Sequence, residues 1–393
     1  MTPWWVNPSL VPGPAGLLLD GVELARLGRE VGTPLYVYSG ATIERGVASV
    51  ADALDAAGVR RKIWYAMKAN RNPAVLALIR RLGLGVDTCS PREVELALQC
   101  GFEPHEISFN AGMLSDWDLG HVAAAGCRVI LDSFSTLARY GARVPAGTPV
   151  GLRFDPQVLA GYRARTHLAY GQAKFGFEPG SLDEVVAAAR AAGLDPVGLH
   201  IHLGWGLGED ALPEVEAAFA GLAGLARKVD GLRWLNLGGG LGARYRAEDR
   251  PLPLDAWSDA VRRHLAPLDL EVHVEPGTAI VGAAGVLLAE VNTVEARRGI
   301  TWVGVDAGHA LNPCPALYGI PLAVIAADRP LAPSTGSFAV VGNINEAGDV
   351  WEPRAELPDP APGDILALYP CGAYAESMAS DHCLRGGARS RLL

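Results

Sequence analysis

From residue 62 to residue 274 the hydrophobic pattern switches period at regular intervals. Short runs rich in β-branched and aromatic residues stand at 62–67, 84–89, 106–110, 128–131, 150–154, 197–203, 234–237 and 271–274. Between most of them lie Ala/Leu/Arg/Glu stretches with helical spacing of apolar positions, as at 72–82, 92–101 and 182–192. Such alternation implies parallel strands, and eight of them is the count of a (β/α)8 barrel. A doubly wound sheet also alternates, so the count decides. The first four units recur at about 22 residues, short but sufficient for strand, loop and helix. After about residue 290 the helices drop out. The runs at 301–305, 337–341 and 364–368 are strand-like and divided by Pro/Gly turns, which predicts a C-terminal antiparallel β domain. An early run at 33–38 reads as a strand that pairs with this domain and brings the two chain ends together. The expected organisation is an N-terminal segment over 1–38, a barrel over 39–290 and a β domain over 291–393.

Composition narrows the function classes. The chain has 393 residues, ample for a large apolar core, and 49% of them are hydrophobic, which excludes disorder. The net charge of −9 argues against a nucleic-acid binder, which needs a basic face. The longest mostly apolar stretch, 279–289, is too short to span a bilayer. The N-terminus lacks the basic-then-apolar order of a signal peptide. Six cysteines are scattered without paired spacing, as expected of reduced thiols in a cytoplasmic protein without a structural metal site. A cytoplasmic α/β enzyme or binding protein remains.

Barrel chemistry lies at the C-terminal strand ends. Those ends carry Lys68, Asp87, Asn110, Asp132, Arg153, His202, the run Gly238-Gly239-Gly240, and Glu275. Asp or Asn there serves equally well as a helix cap. A Lys, an Arg, a His and a Glu converging on one rim ask for more. Lys68 ends a strand expected to be buried, so it is either an amine with its pKa lowered by desolvation, suited to a Schiff base, or a snorkelling or salt-bridged lysine. The glycine run can crowd backbone N–H groups around an anion, or simply make a tight turn. His200 and His202 share one side of a strand. His200 reads as a hydrogen-bonded core histidine, and His202 as a ring that stacks on a cofactor. Glu275, before a Pro-Gly turn, either accepts a bond from a protonated ring nitrogen or is an ordinary strand-end acid.

Six segments in this order, YAMKAN (65–70), HIHLG (200–204), NLGGGLG (236–242), EPG (275–277), NEAGD (345–349) and CGAYAESMAS (371–380), resemble the alanine racemase-fold (fold type III) pyridoxal-phosphate enzymes. The resemblance is greatest to the diaminopimelate decarboxylase-like group. It implies pyridoxal 5'-phosphate joined to Lys68, with Gly238, Gly239, Gly240 and Tyr374 at its phosphate. It further implies His202 against the ring, Glu275 at the ring nitrogen, and Asp87 and Arg153 in support. Loss of carboxylate from Cα follows, with the ring as electron sink. The resemblance also implies a homodimer with shared active sites, in which Tyr374 and the NEAGD loop serve the neighbouring subunit.

Some positions depart from the group's pattern. Thr278 and Cys314 stand where arginines grip a substrate carboxylate, although Tyr318 persists. Asn345 replaces a proton-donating cysteine, with Cys371, Tyr374 or water as substitutes or the intermediate diverted, while Glu346, at the position that in the group recognises a distal amino group, is kept. Trp205 follows His202 where a serine is usual. The expectation is a decarboxylase of a small polar or substituted amino acid other than diaminopimelate, in a specialised siderophore or natural-product pathway. A racemase on the same cofactor and a non-catalytic homologue are the alternatives.

Overall fold

The computed structural model describes residues 2–158, 160–162 and 174–393. The chain opens with a small antiparallel meander, β1 (Leu10–Gly13), β2 (Gly16–Leu19) and β3 (Val22–Glu23), and then β4 (Leu35–Tyr38). The barrel follows as β5 (Arg61–Ala66), β6 (Gly85–Thr88), β7 (Ile107–Asn110), β8 (Arg128–Leu131), β9 (Thr148–Arg153), β10 (Leu194–His200), β11 (Trp234–Asn236) and β12 (Glu271–Val274). These eight strands close on themselves, and every neighbouring pair is parallel. Each predicted strand of the barrel is present, because branched and aromatic runs buried on both faces leave the chain little alternative.

The intervening helices start where the sequence supplies caps. Asn72, Ser90, Ser115 and Ser133 each accept a backbone N–H of the first turn, and proline occupies N1 at Pro73 and Pro91. The lower barrel is filled by two indoles. A Cβ on Gly198 would lie 2.2 Å from the Trp234 ring, and one on Gly85 would lie 2.5 Å from Trp64. Arg128 sits over both rings, and His273 stacks on Trp234 at 5.0 Å. The N-terminal end of the barrel is thus packed solid, and function is left to the opposite rim.

The second sheet comprises β13 (Gly285–Arg297), β14 (Ile300–Val305), β15 (Ala323–Ala326), β16 (Gly336–Val341), β17 (Val350–Leu357), β18 (Ile365–Tyr369) and β19 (Arg389–Leu392). Its order is β15-β18-β13-β14-β16-β17, and β4 joins it between β13 and β19. The early strand therefore pairs as expected, with Leu287 opposite Tyr36. The sheet is mixed rather than wholly antiparallel: β14–β16 and β4–β19 run parallel. The connection from β14 to β16 passes through a short helix (Cys314–Tyr318) and β15 before it returns, long enough for a parallel crossover. Among the described residues no helix is long and apolar enough to cross a membrane.

Candidate active site

β5 delivers Lys68 to the open rim in a single 3-10 turn, Met67–Ala69. Its Nζ lies 3.2 Å from Asp87 Oδ2 and 3.6 Å from Cys89 Sγ. Asp87, at the end of β6, is fully buried, whereas the Lys68 side chain is 41% exposed and so faces open space. Burial works to lower the lysine's pKa. The carboxylates of Asp87, 3.2 Å away, and Glu275 work against that, and the lysine stays well above its ordinary value. Of the two readings of Lys68, the salt-bridged lysine matches the contact with Asp87, and the amine's pKa is raised rather than lowered, so without a cofactor it is an ammonium. For Asp87, burial and the charge of Glu275 push its carboxyl pKa up against the opposing pull of Lys68. Asp87 Oδ1 is buried without a hydrogen-bond partner.

Glu275 follows β12 and is 4% exposed. Asn236 Nδ2, at the end of β11, donates to its Oε1 at 2.7 Å, and His200 Nε2 lies 3.2 Å from its Oε2. Burial alone would raise its pKa, but His200 and Lys68 bring it down to about 2. This carboxylate is anionic throughout the neutral range. His200 is the hydrogen-bonded core histidine, with Asn110 Nδ2 3.0 Å from the same nitrogen. Arg153 Nη1 reaches Asn110 Oδ1 at 3.2 Å and sits over the Phe175 ring.

His202 lies past the end of β10, where burial and the nearby charges of Arg153 and Lys68 hold its pKa down at about 3. A neutral, flat ring results. Its Nδ1 accepts the Gly239 N–H at 3.3 Å, and Gly238 N–H goes to Asn236 Oδ1 at 2.9 Å. Two of the three glycine N–H groups are therefore spent inside the protein. The glycines also solve a packing problem: a Cβ on Gly239 would meet the Glu275 carbonyl oxygen at 2.3 Å, and one on Gly240 would meet the Gly204 carbonyl oxygen at 2.7 Å.

The segment after β18 docks on the lysine turn of its own chain. Tyr374 N–H donates to Ala69 O at 2.7 Å, Asn70 Nδ2 to Gly372 O at 3.0 Å, and Ser377 Oγ to Lys68 O at 2.8 Å. Tyr374 therefore lies at its own barrel's rim and not at a neighbour's, because three main-chain anchors fix the loop there. Cys371 does not join the lysine cluster. It is 1% exposed, receives a bond from Asn312 Nδ2, and burial pushes its pKa up to about 12.

Thr278, Cys314 and Tyr318 do come together. Cys314 and Tyr245 pack with Tyr162, Trp205, Tyr318 and Tyr374, with ring separations of 5.4 Å for Tyr162–Trp205 and 5.8 Å for Trp205–Tyr318. Thr278 shares a hydrogen bond with Tyr245. Asn345 and Glu346 stand apart on an exposed turn after β16, bonded to Cys383 Sγ and, at 2.9 Å, to His382. Sequence reasoning missed Cys89, Asn236 and Tyr245. The signal for Cys89 was available: two residues beyond the inward-facing Asp87, strand period puts it on the same side.

A lysine ammonium, an anionic glutamate, a neutral histidine ring and an orphaned buried carboxylate oxygen on one rim fit pyridoxal phosphate, whose aldehyde, ring nitrogen and ring face need those partners. Residues 40–282 match the family model for the pyridoxal binding domain of pyridoxal-dependent decarboxylases. The diaminopimelate decarboxylase of Methanothermobacter thermautotrophicus is 34% identical over 93% of this chain and 88% of its own. The diaminopimelate decarboxylase of Pseudomonas aeruginosa is 36% identical over 96% and 92%. The structure of diaminopimelate decarboxylase from Helicobacter pylori complexed with L-lysine superposes with a TM-score of 0.86 at 28% identity, covering 94% of this chain and 93% of that one. These matches overturn the expectation of a substrate other than diaminopimelate. That reasoning let Thr278 and Cys314 outweigh the retained Tyr318 and Glu346, whereas Cys314 packs in a wall that also presents Tyr245, Tyr318 and Tyr374, with Thr278 hydrogen-bonded to Tyr245. With a matching family model over most of its length and a rim suited to the cofactor, the chain belongs to the pyridoxal-dependent decarboxylases, carboxy-lyases that act on amino acids with pyridoxal phosphate.

Proposed function

We propose that this enzyme decarboxylates diaminopimelate, releasing carbon dioxide and lysine. The observation that carries the proposal is the Glu275 carboxylate, held by Asn236 and His200 on the rim that also presents Lys68. The extent of the likeness to diaminopimelate decarboxylases supports the choice of substrate. Bound pyridoxal phosphate supplies an aldehyde for the substrate amine and a conjugated ring that takes up the electron pair freed at Cα.

Lys68 would hold the cofactor's aldehyde between turnovers, and Asp87, 3.2 Å away, keeps its Nζ in register. Glu275 would hold a proton on the ring nitrogen, which strengthens the electron sink. His202 would cover the ring as an uncharged plate, and Arg153 orients Asn110, whose amide nitrogen faces the His200 ring beside the glutamate. Gly238, Gly239, Gly240 and Tyr374 would border the phosphate. Thr278, Cys314 and Tyr318 would face the substrate from the side of the aromatic wall.

We further propose a homodimer in which the exposed Asn345–Glu346 turn reaches the partner's site, since within one chain it lies apart from the lysine. A cytoplasmic location is supported by six cysteines that all remain unpaired. The test is carbon dioxide release from diaminopimelate with lysine as the product. The wild-type holoenzyme should show a visible absorbance band that Lys68→Ala abolishes. A wild type that takes up the cofactor yet leaves diaminopimelate intact while decarboxylating another amino acid would refute the substrate assignment.

A further inference from the structure

Loss of carbon dioxide leaves an electron pair on Cα, and turnover closes only when a proton arrives there. The donor must stand beside the amine that handles the cofactor. His202, with its pKa down at about 3, has no proton to spare at neutral pH. Cys371 is buried against Asn312, and Asn345 is an amide on an exposed turn. Cys89 is different. Its Sγ lies 3.6 Å from Lys68 Nζ, and the reaction as described above gives it no task.

Its placement is built into the fold. Cys89 follows β6 directly, and its N–H donates to Glu93 Oε2 at 2.7 Å, which ties the residue to the helix Pro91–Gln99. Beside it, Asp87 Oδ1 is buried with no partner, an independent sign that a polar group of a ligand belongs in this corner. We propose that the Cys89 thiol is the acid that protonates Cα of the substrate after decarboxylation, a step that rests on the cofactor role assigned to Lys68 above.

The Cα–carboxylate bond breaks and its electron pair stays on Cα. The S–H bond breaks, and its proton forms the new Cα–H bond. The thiolate then takes a proton from the Lys68 ammonium, which leaves the amine neutral, the form required to recapture the aldehyde. The single proton consumed overall enters from solvent through Lys68, whose side chain is 41% exposed. Burial, with Asp87, Glu93 and Glu275 nearby, pushes the Cys89 pKa up to about 12 against the pull of Lys68, so the thiol keeps its proton in the neutral range.

The test uses the full-length chain with Cys89→Ala and Cys89→Ser, turned over in heavy water. Cys89→Ala should lower kcat by about 100-fold, the size of a lost general acid. Cofactor affinity should hold within about twofold. A rising share of turnovers should end with the proton on the cofactor instead of Cα, read as a carbonyl product and pyridoxamine phosphate. Cys89→Ser, which keeps the size but is a poorer acid, should also misdirect protons. A merely structural role would leave that partition at the wild-type ratio. Wild-type kcat with clean incorporation of one deuterium at Cα in Cys89→Ala overturns the proposal.

A second measurement needs no turnover. In the cofactor-free wild type, alkylation of Cys89 by iodoacetamide, followed by peptide mapping, should still climb roughly tenfold per pH unit between pH 8 and pH 10. A flat profile means that the proton has already left, and it too overturns the proposal. This profile judges Cys89 even if diaminopimelate proves not to be the substrate.

Discussion

In the folded chain His202 stays neutral down to about pH 3, while in the unfolded chain it takes up a proton near its ordinary value of 6.5. Acidification through that window favours the unfolded chain. The stability tied to neutral His202 is fully present above pH 6.5 and falls as the pH drops towards 3. Between pH 8 and pH 5 the difference in proton uptake amounts to about 2 kcal/mol for this one ring. His200 and His273 are depressed in the same direction by burial and add to the slope, so the His202 share must be isolated by a variant. His202→Phe keeps a flat ring but removes the titration. Urea denaturation of the cofactor-free protein at pH 8 and pH 5 should show the variant losing about 2 kcal/mol less than the wild type across that interval. Loss of the acceptor for the Gly239 N–H offsets the variant equally at both pH values and cancels. Equal pH dependence in the two proteins, or a His202 imidazole NMR signal that titrates between pH 6 and pH 7, would refute the argument that this ring meets the cofactor uncharged.

Asn236→Leu removes the 2.7 Å bond to buried Glu275 and the acceptor for Gly238 N–H, so it should cost about 2 kcal/mol by denaturation and weaken cofactor binding in a fluorescence titration. Gly198→Ala drives a methyl into the Trp234 ring and should destabilise by about 1–3 kcal/mol. Adding Trp234→Leu should restore part of that, seen as a non-additive double-mutant cycle. Lys68→Ala mixed with Glu346→Gln should regain about a quarter of wild-type activity if two chains share their sites, since half of randomly assorted dimers carry one intact site. No recovery on mixing argues for self-sufficient chains.

The barrel was legible because its strands are written as compact apolar runs and the stretches between them, as at 72–82, 92–101 and 182–192, carry helical spacing. The rim was legible for the same reason: strand ends can be counted, and Lys68, Asp87, His202 and Glu275 all fall within two residues of one. What stayed hidden depends on distance across space. The raised pKa of Lys68 comes from acidic groups on neighbouring elements, and no local pattern around YAMKAN encodes them. The docking of Tyr374 onto Ala69 within one chain is set by how β18 leads into the rim, so position alone could not say which subunit it serves. The parallel pairing of β14 with β16 likewise depends on where an intervening strand is placed, which Pro/Gly punctuation does not reveal. The substrate expectation failed because Thr278 and Cys314 were given more weight than the retained Tyr318 and Glu346, and because Tyr245, which packs with Cys314, carries no local signal.

The anchoring of Ser377 to the Lys68 turn joins positions 309 apart in the chain. During synthesis the barrel strands emerge long before the loop that finishes their rim, and closing so distant a contact is slow. The nascent chain thus exposes its reactive amine in an unfinished setting and becomes competent late. A protease cut in the exposed turn at Asn345–Glu346, if the downstream piece then detaches, would disarm the enzyme while leaving every barrel strand whole.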